Sequence, residues 1–143
     1  MIRTGISIPL FVGLVALVLL STVGGCKKPY TYNVQVINAT YGDLGSVKLD
    51  WGQGKQAIGD IASRKEQVWG PCFTRPPQTV TLTWLDEGKE RSAAADIPVP
   101  KAGFDGTYFI LVKDDAISVH MAALGDRQTY DHLREQVPGP PAL

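Results

Sequence analysis

The chain has 143 residues with 14 basic and 14 acidic side chains, two histidines and two cysteines. That length accommodates one domain and not two well-cored ones. Balanced charge without a basic stripe excludes nucleic acid as an expected partner, and two cysteines with two histidines do not make a zinc site.

The first stretch, Met1 to Cys26, has three parts. Arg3 supplies a positive start, Ile6 to Leu20 is an apolar core interrupted by Pro9, and Ser21 to Gly25 is rich in small residues. A positive start, an apolar core and small residues before a cut are what a secretory signal requires. The alternative is an uncleaved membrane helix, since Ile6 to Val23 approaches the length that spans a bilayer. Pro9 and the cysteine closing the run speak against it. The segment Val23-Gly24-Gly25-Cys26 resembles the lipobox of bacterial lipoproteins, with Gly25 and Cys26 matching and Val23 and Gly24 departing from the usual pattern. The resemblance implies a diacylglycerol thioether on Cys26, cleavage before it, and an acylated new amino terminus, hence a membrane partner held through covalent lipid. Lys27 stands where an aspartate would imply retention in the inner membrane. The resemblance thus implies a cell-envelope protein, directed to the outer membrane in a Gram-negative host. Residues 1–25 are then the signal and 26–29 a short tether.

Cleavage there leaves residues 26–143, 118 in all, with 13 basic and 14 acidic side chains, because only Arg3 is lost. Cys72 is left without a partner. In an exported, oxidising compartment a lone thiol is expected either to be buried or to bond another chain. Between Pro71 and Phe73, burial is the expectation.

From Tyr30 the apolar period is two. Tyr32, Val34 and Val36 alternate with polar residues, then Asn38 to Gly45 is turn-rich. Val47, Leu49 and Trp51 mark a second strand, ended by Gly52-Gln53-Gly54. Gln56 to Ile61 and Gln67 to Gly70 read as short strands about a polar turn at Ala62 to Glu66. Pro71 to Pro77 holds three prolines, which lack ladder donors and exclude a central strand. Thr79 to Leu85, with Val80, Leu82 and Trp84 on one face, turns through Asp86-Glu87-Gly88-Lys89 into Glu90 to Ile97. Pro98 to Gly106 is a loop. Thr107 to Lys113 and Ala116 to Ala122 form a last hairpin about Asp114-Asp115.

Short, regularly spaced alternating strands predict an all-β fold, residues 30–124, as a single antiparallel β-sandwich of immunoglobulin-like type. A small closed β-barrel is the alternative. The expected core is Val34/Val36, Val47/Leu49/Trp51, Val80/Leu82/Trp84 and Phe109/Leu111. Residues 125–143 predict a weak helix over Asp126 to Gln136, whose stripe of Tyr130, Leu133 and Val137 is thin, and then a disordered tail.

No catalytic constellation emerges. His120 beside Asp114 and Asp115, and His132 beside Asp131, read as solvated surface groups, since adjacent helical residues do not face each other. No Gly-x-Ser-x-Gly places a nucleophile. Neither an enzyme nor a cofactor is expected. Trp69, Phe73 and Arg75 form a candidate protein-contact patch, because Trp and Arg dominate interface hot spots. The segment Gly70 to Pro77 and the loop Pro98 to Gly106 are the surfaces where contact is expected. The function expected is that of a membrane-anchored envelope lipoprotein, a non-enzymatic binding or scaffolding module for an unidentified protein partner. The alternative is an inhibitor or immunity lipoprotein against a toxin or lytic enzyme.

Overall fold

The structure is a computed structural model that describes residues 29–139. The signal, Cys26 and the end of the tail lie outside the described residues. Eight strands and one helix follow in order: β1 Thr31–Asn38, β2 Leu44–Asp50, β3 Lys55–Ile61, β4 Glu66–Cys72, β5 Thr79–Asp86, β6 Lys89–Asp96, β7 Asp105–Lys113, β8 Ala116–Ala123 and α1 Arg127–Glu135. They make two four-stranded sheets, β4-β1-β7-β8 and β3-β2-β5-β6, packed face to face. The edges of the two sheets remain unpaired, so the fold is a sandwich and no closed barrel.

Alternation explains the inner faces. Tyr32, Val34 and Val36 of β1 meet Val47 and Leu49 of β2 and Val80, Leu82 and Trp84 of β5 in one buried cluster. Trp51 lies one residue past β2 and is still only 4% exposed. The β5–β6 hairpin closes on Glu87 and Gly88, both at positive φ (50° and 78°), as a two-residue turn matching strand twist requires.

Three expectations are corrected. The sheets are not wholly antiparallel, for β1 pairs in parallel with β7 from Thr31↔Asp105 to Asn38↔Val112. The phase of β7 is also shifted. Tyr108, Ile110 and Val112 enter the sandwich core, whereas Phe109 and Leu111 face outward in a second cluster with Ile37, Ala39, Ala122 and Leu133. Five consecutive buried residues give no polar alternation from which to read a face, and such runs belong to strands covered on both sides. The cover is α1, and so the helix does not fray. Its stripe of Tyr130, Leu133 and Val137 is thin but meets a prepared apolar face, and Leu133 is 1% exposed. Asp126 caps it, accepting from the Thr129 N–H at 3.1 Å and from the Thr129 hydroxyl at 2.7 Å.

Asn38 is wholly buried at the end of β1 and holds the turn that follows. Its Nδ2 donates to the carbonyls of Gly42 (2.8 Å) and Ile61 (3.0 Å). Its Oδ1 accepts from the Thr40 N–H (3.0 Å) and hydroxyl (2.6 Å). Two variants test this account by urea denaturation. Asn38→Ala removes the buried donor to the Ile61 carbonyl and the acceptor of Thr40, and is expected to cost about 1–3 kcal/mol. Leu133→Ala empties the helix–sheet interface and is expected to cost about 2–5 kcal/mol, with loss of amide protection in α1 first. An unchanged midpoint for either variant contradicts the corresponding packing.

Candidate functional site

Both ends of the sandwich carry loops, but their chemistry differs. The proximal end, where β1 begins, gathers the β2–β3 loop, the segment 73–78 after β4, the loop 97–104 before β7 and the turn after β8. These are fastened to one another. The Thr31 N–H donates to the Phe104 carbonyl (3.0 Å), the Ile97 N–H to the Gln78 carbonyl (2.8 Å) and the Leu124 N–H to the Asp105 carbonyl (2.9 Å).

Beneath them lies an aromatic cluster. Tyr108 stands edge-on to Tyr32, Trp51 and Phe104, with ring centroids 5.2, 5.3 and 5.4 Å away. The Trp51 indole N–H donates to the Tyr32 hydroxyl at 3.0 Å, and the Tyr108 hydroxyl donates to the Pro98 carbonyl at 3.4 Å. Burial pushes both tyrosine hydroxyls above the ordinary phenol range, so they stay protonated donors.

The segment after β4 is aimed by a bulge. Tyr32 opposes Cys72 and Val34 opposes Trp69, so β4 carries one extra residue here and bends out of the ladder. Gly70 sits at the bend with φ 137°, and a Cβ there would lie 2.7 Å from the Asn33 Oδ1. Proline at this point is compatible with a sheet because β4 is an edge strand.

Of the three candidate contact residues, Phe73 is 63% exposed and Arg75 is exposed. Trp69 opposes the buried Val34 and packs partly buried against the main core. Phe73 and Arg75 thus share the proximal rim, while Trp69 turns inward at the sheet edge. The two loops singled out in the sequence do converge. Arg75, Pro77 and Gln78 face Asp96, Pro98 and Val99 across an open groove of about 570 Å³. Sequence reasoning did not include Leu124, which is 79% exposed at the same end; an apolar residue beside Gly125 was the available signal.

Cys72 is half-buried, opposite Tyr32 in the ladder. Burial raises its thiol above the ordinary range, which makes it a weak thiolate and a poor nucleophile.

A second concavity, about 740 Å³, forms where α1 meets β8 and brings both histidines together, lined by His120, His132, Asp131 and Glu135 among others. In the sequence these read as separate surface groups. The His120 Nε2 lies 3.0 Å from the Ser118 hydroxyl, and the His132 Nδ1 is 4.0 Å from Glu135. No carboxylate pairs with His120 among the described residues, and no three-ligand cluster of His, Cys, Asp or Glu that could hold a metal occurs among them.

No protein-family model matches the chain, and no curated protein is similar to it. Among solved structures, an NMR structure of a protein from Eubacterium rectale is similar at 17% identity and a TM-score of 0.44, covering 67% of this chain and 92% of that one.

Burial, and then the nearby His132, hold the His120 imidazole below its ordinary value of 6.5. Its neutral form is thus favoured in the folded state. The associated stability is present above the unfolded pKa and is lost as pH falls from 6.5 through the folded value. Denaturation midpoints measured downward from neutrality to about pH 5, above most carboxylate titrations, are expected to fall, and His120→Gln is expected to flatten that slope. An identical slope in the variant contradicts the assignment.

Proposed function

We propose that the chain is a lipid-anchored protein of a bacterial cell envelope, held through Cys26, and that its sandwich is a non-enzymatic binding or scaffolding module. The observation that carries this reading is the order of the first thirty residues. A basic start, an apolar core, small residues and then Cys26 precede a tether of only Lys27-Lys28-Pro29, and the described fold is under way at Thr31. Two or three acyl chains on one cysteine, at about 0.8 kcal/mol per buried methylene, make a stable anchor where one chain does not. Among the described residues no helix is long and apolar enough to cross a membrane.

The immunoglobulin-like type is our reading of the sandwich; two sheets of four strands with loops gathered at the ends support it. Its contact surface is the proximal rim, where Phe73 and Arg75 stand beside the groove between the two proline-bearing loops. The absence of Asp at position 27 favours the outer membrane in a Gram-negative host.

Metabolic labelling with a palmitate analogue tests the anchor. Wild type is expected to carry label and sediment with membranes, while Cys26→Ser is expected to lose the label and become soluble or accumulate uncut. An unlabelled wild type rules the anchor out.

A further inference from the structure

We propose that the proximal end of the sandwich lies directly on the lipid surface, with Phe73, Val99 and Leu124 seated among the headgroups. This rests on the anchoring proposed above and names what the proximal rim meets. Large exposed apolar side chains are few among the described residues, and the two most exposed, Val99 (80%) and Leu124 (79%), stand at this end together with Phe73 (63%). They come from three separate loops, so no one segment's composition accounts for the grouping. The remaining ones are dispersed: Tyr41 at the distal end, Val68 on the edge strand β4, and Leu85 on β5.

The tether decides the occupant. Cys26 and Tyr30 are separated by Lys27, Lys28 and Pro29, so at about 3.5 Å per extended residue their Cα atoms are at most roughly 14 Å apart. Tyr30 immediately precedes β1 and packs partly buried against the core at the proximal end. A sheet of four strands at about 4.8 Å spacing is roughly as wide as that reach. The start of β1 therefore stays close to the bilayer, and little room is left for a folded partner between the two. Strands of eight residues at about 3.3 Å each put the distal end roughly 26 Å farther out. With the strands standing off the surface, the proximal loops are the ones that meet lipid.

Charge fits a headgroup layer. Arg75, Lys101 and Arg127 flank the three apolar tips, and Lys27 and Lys28 precede them in the tether. Four carboxylates share this end: Asp126 is engaged by Thr129, Asp50 accepts from the Gly52 N–H, and Asp96 and Asp105 sit at strand ends. Apolar tips ringed by cations are the arrangement by which interfacial segments bind an anionic membrane surface. The aromatic cluster below holds the 97–104 loop through Phe104 and the Pro98 carbonyl.

The test uses the full chain, purified with its anchor and reconstituted into vesicles of phosphatidylethanolamine and phosphatidylglycerol. In a Cys72→Ala background, Val99→Cys, Leu124→Cys and the distal control Tyr41→Cys each carry one environment-sensitive nitrobenzoxadiazole dye; the Cys26 sulfur is blocked by its thioether. Flotation reports anchoring independently. The expected result is flotation of all three, with blue-shifted emission rising several-fold for the probes at 99 and 124, quenched by brominated lipid, and no change at 41. Flotation with all three probes alike overturns the docking and leaves the anchor standing. A response that depends on protein density in detergent, or that needs added envelope proteins, assigns the rim to a second copy or to a protein partner and also overturns it. Failure to float removes the anchoring reading, and this inference with it.

Discussion

Tyr32, Trp51 and Tyr108 come from β1, the end of β2 and β7, and their rings meet at centroid distances of 5.2 to 6.1 Å beneath the proximal loops. Tyr32 and Tyr108 belong to one sheet and Trp51 to the other, so the cluster joins the two layers at the place where four loops must be held. Each ring buries a large apolar area, and the edge-on geometry adds about 0.5–1.5 kcal/mol per pair. The polar tips are not left over, since the indole N–H reaches the Tyr32 hydroxyl and the Tyr108 hydroxyl reaches the Pro98 carbonyl. Phe104, edge-on to Tyr108, packs the chain just before β7 against the cluster.

The second constraint is that one sheet is buried on both faces. With β1 and β7 side by side at its centre, its inner face meets the other sheet and its outer face needs a cover. Ile37, Phe109 and Leu111 form the floor, and Leu133 with Tyr130 and Val137 closes it. This explains why a short, polar helix is ordered at all, because its stability comes from docking and not from propensity. It also accounts for the meeting of His120 and His132, which sit on the two sides of that joint.

The proximal end unites the features that bear on function: chain origin, exposed apolar tips and loops stiffened from below. A short tether turns fold geometry into orientation. On the anchoring proposed above, a long flexible linker would leave every surface of the sandwich equally available, whereas three residues between Cys26 and Tyr30 do not.

Strict alternation in Tyr32/Val34/Val36, Val47/Leu49 and Val80/Leu82/Trp84 made those strands and their inward faces readable from sequence, since period two allows a single buried face. Asp86-Glu87-Gly88-Lys89 and Asp114-Asp115 likewise announced their hairpins. The Cys26 motif is legible only as sequence, because its chemistry is local. Tyr108 to Val112 carried no such information: every residue is apolar, and which side faces the other sheet depends on partners far along the chain. The inward turn of Trp69 depends on its register opposite Val34, and the parallel pairing of β1 with β7 joins segments that share no local signal. Phe73, Val99 and Leu124 are unremarkable one at a time. Local chemistry set the strands and the turns; only tertiary pairing decided which loops share an end, because nothing within a strand encodes its neighbours.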